Sequence, residues 1–422
     1  MKLLIKSARI IDNESPFNNK VMDILVEDGM IKEIAPSIDA KDLDKEIVYE
    51  NLHVSQGWFD SSVNFGEPGY EDRETLENGL KTAAKSGFTA IALNPGNDPV
   101  TDNKGAVTFL KNKAEKQPVS LYPIGALTKS SAGSEMAELY DMLQAGAIAF
   151  GDYKKAVTNP NLLKLALQYA QNFDALLLSF PQENRIAGNG QVNENENSTS
   201  LGLKGIPALA EELQITRDLY ILEYTQGKLH IPTISTAKSV EIIREAKEKG
   251  LDVTCSVAIH NLFFTDDLLT EFDTNAKVLP PLRTKADLKA LIAGVRDGTI
   301  DMVTSDHTPM NVENKKLEFD NALFGTLGLE SAFGALLQIF SIKTTIKTLT
   351  SGRSRFNLPE LIIDRGAPAN LTFFDPTPSY TFQKGHILST SKNSLFLGHE
   401  LKGKVYGILS QETFFASETS EK

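Results

Sequence analysis

Eight times between residues 58 and 304 the chain repeats one pattern, a short apolar run followed by a stretch with helical spacing. The runs are 58–64, 89–93, 119–125, 147–150, 175–179, 229–235, 251–258 and 300–304. Most have continuous apolar cores, such as TAIAL and ALLLS, as strands buried on both faces require. Parallel strands cannot be joined by tight turns, so each needs a crossover, most often a helix. The intervening segments carry helix boundaries. Ser134 is placed to open a helix that Gly146 closes, Ser235 or Thr236 to open one that Gly250 closes, and Thr284 to open a third. Eight strand–helix units in one run predict an α/β fold of the (β/α)8 TIM-barrel type. In such a barrel the chemistry sits where strands end and the following loops begin.

The flanks follow another rule. Residues 1–55 read as β throughout: residues 1–11 alternate, and residues 21–35 form a hairpin pattern around Glu27-Asp28-Gly29. After about Pro359 short β-like pieces return, such as 370–375 and 404–409. The expectation is a small β-sandwich-like side domain built from both termini, 1–55 with 360–422, beside a barrel spanning 56–359. Residues 188–200, rich in Asn, Glu and Gly, read as an exposed, disordered loop.

Composition excludes several classes of function. The 422 residues are 41% hydrophobic and 23% charged, enough for a large core. A net charge of −12 argues against a nucleic-acid surface, which needs a basic patch. No apolar run reaches membrane-spanning length, and the alternating N-terminus reads as a strand and not as a signal peptide. The single cysteine, Cys255, lies in an apolar run and fits a buried thiol in a reducing compartment. The expected location is the cytoplasm, with neither nucleic acid nor membrane as a partner. Glycine-rich phosphate loops are absent in the strand–turn–helix context they need.

Residues 56–75 put Asp60, Ser62 and Asn64 on one face of the first strand, ahead of a Glu67-Pro68-Gly69 turn. This stretch resembles the first barrel strand of the class I dihydroorotases of the amidohydrolase superfamily, which reads Asp-x-His-x-His-x-Arg-x-Pro-Gly. Further ordered matches at 201–207, 277–283, 297–301, 305–309 and 324–330 extend the resemblance over essentially the whole chain.

In that family the two strand-one histidines hold zinc and the arginine holds the substrate carboxylate. Here Asp60, Pro68 and Gly69 keep the frame, while the three chemical positions are Ser62, Asn64 and Gly66. The family histidine after strand five is Ser179. The strand-six pattern His-x-x-His-x-Ser-Thr runs from His230 to Thr236, with Thr233 at the ligand position. His230 falls on the opposite face and reads as a packed side chain. Strand four keeps Asp152, in Phe150-Gly151-Asp152 where the family reads Phe-Ser-Asp-Asp-Gly. Strand eight keeps Asp306, the family's catalytic base and metal ligand. The substrate-anchor positions also differ. Gly96 stands at the asparagine of a Pro-Asn-Thr loop, with Asn97 beside it, Leu279 at an asparagine before the double proline, and Met310 at a histidine after strand eight.

Serine, asparagine and threonine are poor zinc ligands, and a lone carboxylate cannot hold a tight catalytic zinc. The resemblance, with these replacements, implies a non-catalytic homologue in pyrimidine biosynthesis. It would have no metal cofactor and would keep Asp306 only as a vestigial base. It would assemble with aspartate carbamoyltransferase or as a homo-oligomer. The open alternative is an active dihydroorotase or related cyclic amidohydrolase acting on carbamoyl aspartate and dihydroorotate. That reading uses zinc in a reduced site of Asp152 and Asp306 with His260 or His307. A third reading keeps ligand binding without turnover. A triad of Ser62 or Ser179 with His307 and Asp306 is weaker, because neither serine sits in a nucleophile elbow.

Overall fold

The computed structural model describes residues 1–417; residues 418–422 of the expected side domain lie outside the described residues. Among the described residues eight parallel strands pair in sequence order. They are Trp58–Val63, Phe88–Leu93, Ser120–Gly125, Ala149–Phe150, Leu176–Leu178, Leu229–Ile231, Val253–Ala258 and Met302–Thr304. Every residue of the first two is buried, which is why their sequences carry no outward polar face. The first and eighth strands meet in a parallel bridge between Val63 and His307, where the Asn64 N–H donates to the His307 carbonyl at 2.9 Å. Asp60 ties the same seam: its carboxylate accepts from the Ser305 N–H at 3.0 Å and from the Thr304 hydroxyl. The result is a (β/α)8 barrel, nearly closed.

Two of the three expected helix starts fall where the caps are. The Thr236 hydroxyl accepts from the Ser239 N–H ahead of Ala237–Glu248, and Thr284 forms a capping box with Asp287 ahead of Lys285–Asp297. The third does not. The helix closed by Gly146 begins at Leu139, with Ser134 outside it. Thr128 is the reason. Its hydroxyl accepts from the Gly133 N–H at 2.9 Å and donates to Asp152 at 2.5 Å, and Thr128 bridges to Met136. These contacts fold residues 128–136 into a loop.

Residues 188–200 are also not a disordered loop. Val192–Asn193 pairs with Gly205–Ile206, and Glu196–Leu201 is a helix with a capping box between Asn195 and Ser198. The polar composition has buried partners: Asp266 accepts from Asn193 and Asn195, and Arg283 donates to Asn193 at 2.8 Å.

A separate, mainly antiparallel sheet draws on both termini. Its order is Thr413–Ala416, Glu400–Ser410, Leu371–Thr381, His53–Gln56, Lys2–Ile10, Val21–Glu27 and Met30–Ala35, with Lys45–Ile47 also pairing with Lys2–Ile10. The hairpin turns on Asp28 and Gly29, both at positive φ, as a two-residue turn of matching twist requires. Helix Leu329–Ile339 packs between barrel and sheet. At Gly334 a Cβ would stand 2.9 Å from Leu401, so only glycine allows this approach. Trp58, at the base of strand one, packs tilted against Phe333 and Phe374 at centroid distances of 4.7 and 5.7 Å and joins the two layers.

Candidate functional site at the barrel mouth

The strand ends deliver Ser61, Ser62, Asp152, Tyr153, Lys154, Thr233 and Asp306 to one cavity of about 20 Å3. That is room for about one water molecule. Its centre is an ion pair: the Lys154 ammonium lies 2.9 Å from the Asp306 carboxylate, whose side chain is 1% exposed. The other Asp306 oxygen accepts from Ser62 at 3.3 Å and Tyr153 at 3.4 Å, and the Tyr153 hydroxyl also meets Thr308 at 2.9 Å. Burial pushes the Asp306 carboxyl up, with Lys154 pulling against it. Burial alone would push Lys154 down, but Asp306 and Tyr153 outweigh it and hold the amine above its ordinary value, so it is an ammonium at neutral pH. Burial and the Asp306 charge push the Tyr153 phenol up to about 12, so it remains a donor.

Three of the cavity residues also carry backbone strain. Lys154, Thr233 and Asp306 all have left-handed φ, of 53°, 50° and 47°. For a β-branched residue such as Thr233 this is a true outlier. Strain of this kind is typical of functional sites and costs about 1–3 kcal/mol per residue.

The expected metal positions are not brought into a metal-binding set. Ser62 reaches Asp306, and Asp152 and Thr233 line the same cavity. Asp152, however, gives both oxygens to Thr128, one to its N–H and one to its hydroxyl. The Asn64 amide oxygen packs beside Gly96, where a Cβ would meet it at 2.7 Å. Ser179 points to the helix behind the barrel and donates to Asp218 at 2.6 Å. Among the described residues no group of three or more His, Cys, Asp or Glu is placed to hold a metal ion. Zinc needs several convergent imidazoles, thiolates or carboxylates. Hydroxyls and amides around a carboxylate already neutralised by an ammonium do not fit it.

The substrate-anchor positions are equally committed. At Gly66 any Cβ would stand 1.8 Å from the Tyr70 carbonyl oxygen, so this turn admits no side chain, least of all arginine. Asn97 donates to the Glu67 carbonyl at 3.1 Å. Leu279 packs with Phe180, Ile206 and Ala210, and Met310 is buried with its N–H on Asn393. Of the cavity-lining residues only Lys154 is cationic, and Asp306 holds it.

The histidines serve the structure. Nδ1 of His307 accepts from the N–H groups of Gly328 and Leu329, at 3.2 and 3.3 Å, at the start of a helix, while Nε2 faces Ser389. It therefore joins no triad with Ser62 or Ser179. His230 lies between Thr254 and Ser256, and burial lowers its ring to about 3. His260 is fully buried, has no hydrogen-bond partner at either nitrogen, and is likewise lowered to about 3. Cys255 is buried, and burial pushes its thiol up.

Tyr153 and Lys154 are mouth residues that sequence reasoning missed, as is Ser61. The signal was present: read two residues past Asp152, the pattern Phe-Ser-Asp-Asp-Gly places Tyr153 at its second aspartate and Lys154 at its glycine.

A barrel with a terminal side sheet and a polar mouth at the strand ends has the amidohydrolase architecture. The L-hydantoinase (dihydropyrimidinase) of Arthrobacter aurescens superposes with a TM-score of 0.87 at 21% identity, over 98% of this chain and 96% of that one. A D-hydantoinase superposes at 0.84 and 18% identity, over 99% and 96%. Sequence narrows the class. The Dihydro-orotase-like family model matches residues 53–239. The dihydroorotases of Acetivibrio thermocellus and Geobacter metallireducens are each 38% identical, over 96% of this chain and 96% of their own. The chain belongs to the dihydroorotase family. Among its described residues no helix is long and apolar enough to cross a membrane.

Proposed function

We propose that this chain is a dihydroorotase homologue that has lost turnover and serves pyrimidine biosynthesis as a structural partner of aspartate carbamoyltransferase. The Lys154–Asp306 ion pair inside a one-water cavity carries this reading. Hydrolysis of a cyclic amide needs an activated water, a polarised carbonyl and a base free to take a proton. Asp306 stands at the base position, but an ammonium 2.9 Å away occupies one of its oxygens, and Ser62 and Tyr153 donate to the other. Small-molecule sites usually offer some 300–1,000 Å3, far more than this cavity. An anionic substrate would also find no uncommitted cation there. The barrel core and its caps are meanwhile intact, which leaves the outer surface as the part that can still serve a function.

The test is the rate of interconversion of carbamoyl aspartate and dihydroorotate, with zinc, manganese or cobalt added. The expected rate is that of buffer. Activity that survives repurification and falls with Asp306→Asn would instead establish an active cyclic amidohydrolase. Co-purification from the native cell, read by sizing and mass spectrometry, tests the partner. Aspartate carbamoyltransferase should accompany the chain in a complex burying at least roughly 1,000 Å2. Its consistent absence would remove the scaffold role.

A further inference from the structure

A second cavity, of about 340 Å3, opens between helix Ile342–Thr350, the short helix Gly352–Arg355 and the turn at residues 11–14. It lies at the end of the barrel away from the mouth. Arg353, on its wall, donates to Thr89 at the start of strand Phe88–Leu93. The mouth has room for about one water, whereas this volume falls within the roughly 300–1,000 Å3 of small-molecule sites.

Arg353 is 5% exposed. Its guanidinium gives one hydrogen bond, to the Thr89 hydroxyl at 3.1 Å, and its buried Nε–H has no partner. Burial lowers it to about 10, and among the described residues no carboxylate stands close enough to oppose that. It is therefore a cation at neutral pH without a counter-ion. The other buried arginine, Arg283, has Glu211 at 3.9 Å and donates to Ser235, Asn193 and the Ile206 carbonyl. A buried charge left unpaired is costly and calls for an anion. Lys343 and Lys347 line the same cavity, four residues apart on one helix, both exposed and neither in an ion pair among the described residues. Like charges at that spacing repel, and an anion between them relieves both. Asp12 also lines the cavity, but its oxygens accept from the N–H groups of Glu14 and Ile363 and from the Gln56 amide. Glu14 and Glu360 are exposed on its wall, which disfavours a polyanion and leaves a small ligand with one oxyanion group. We propose that this cavity binds a small oxyanion ligand, a carboxylate or a phosphate, with Arg353 as the buried anchor and Lys343 and Lys347 as outer contacts. A guanidinium fork matches either group. The inference is independent of whether the barrel mouth turns over a substrate.

Inorganic phosphate, glycerol phosphate and succinate are the probes, each compared with chloride at equal ionic strength. Calorimetric titration of the full chain should show one saturable site for at least one of them, and the thermal midpoint should rise with its concentration. The tighter probe assigns the source as phosphate or carboxylate. Lys343→Met/Lys347→Met, which alters only exposed positions, should weaken binding about tenfold or more and leave the midpoint in chloride unchanged. Arg353→Met should abolish binding. Because it removes an unpaired buried charge, its midpoint in chloride should not fall. The mouth variant Lys154→Met/Asp306→Asn should bind as the unmodified chain does. No saturable binding of any probe at millimolar concentration would overturn the proposal. So would binding that survives both the arginine and the lysine substitutions, binding lost only in the mouth variant, or a midpoint in chloride that falls on Arg353→Met.

Discussion

At the scale of single residues the mouth is organised by Lys154. It is a cation brought in by the chain itself, set on the one carboxylate that the strand-eight motif retains. The pair is buried, so its worth is best read from what breaks when one member goes. Lys154→Met leaves Asp306 as an uncompensated buried charge and should destabilise the fold by about 3–5 kcal/mol. Adding Asp306→Asn to that variant should recover much of the loss, because the charge disappears with its partner. Denaturant titration of the two single variants and the double checks this, and additive losses would contradict the pairing. Two buried histidines give the molecule a pH response. His230 and His260 are held to about 3, whereas an unfolded chain protonates them near 6.5. Between these values the unfolded state binds more protons, so their contribution to stability is lost as pH falls from about 6.5. The slope is at most about 1.4 kcal/mol per pH unit for each ring. Asp60, which burial pushes up to about 6, acts oppositely. Its folded form holds the proton longer, so its contribution rises as pH falls from about 6 towards 3.8. His260→Leu removes one ring without breaking a hydrogen bond. Its stability-against-pH curve should be flatter than that of the unmodified chain below pH 6.5, and parallel curves would contradict the assignment.

At the scale of elements, the loop after strand one leaves Gly66 no room for a side chain. Gly66 donates to the Glu74 carbonyl at 3.0 Å and accepts from the Tyr70 N–H at 2.7 Å, closing a turn with no space for a Cβ. Gly66→Arg, which restores the family residue, should therefore cost about 1–3 kcal/mol in thermal or denaturant unfolding and confer no carboxylate binding. A stable variant that binds dihydroorotate would show that the loop opens freely. The elements were legible in the sequence where local signals decide them. The eight apolar runs became eight strands, and Thr236 and Thr284 capped the helices they precede. Distant partners hid the rest. Ser134 sits in a plausible capping position, but Thr128 and Asp152 hold its segment in a loop. Residues 188–200 look like solvent-exposed chain until Arg283 and Asp266 are placed beside them. The sixth run ends as a strand at Ile231, because Pro232 and the left-handed Thr233 turn the backbone into the mouth. The resemblance pointed in sequence to the strand ends at Ser62, Asp152, Thr233 and Asp306, which the structure brings to one cavity. The lysine paired with Asp306 could not be assigned until the two were seen together.

At the scale of the whole molecule, a nearly closed barrel surrounds a narrow polar mouth. Lys154, Thr233 and Asp306 hold left-handed φ at that mouth, around a cavity with room for about one water. The side sheet, the aromatic contacts at Trp58 and the capped helices keep the outer surface well formed, and that surface is where the account places function. In the proposed reading the Lys154 ammonium stands where a metal would be held. Zinc content of the purified chain, measured by elemental analysis after exposure to zinc and dialysis, tests it most directly. The purified chain should hold far less than one zinc, unchanged by Asp306→Ala. About one zinc or more per chain, lost on Asp306→Ala, would contradict it.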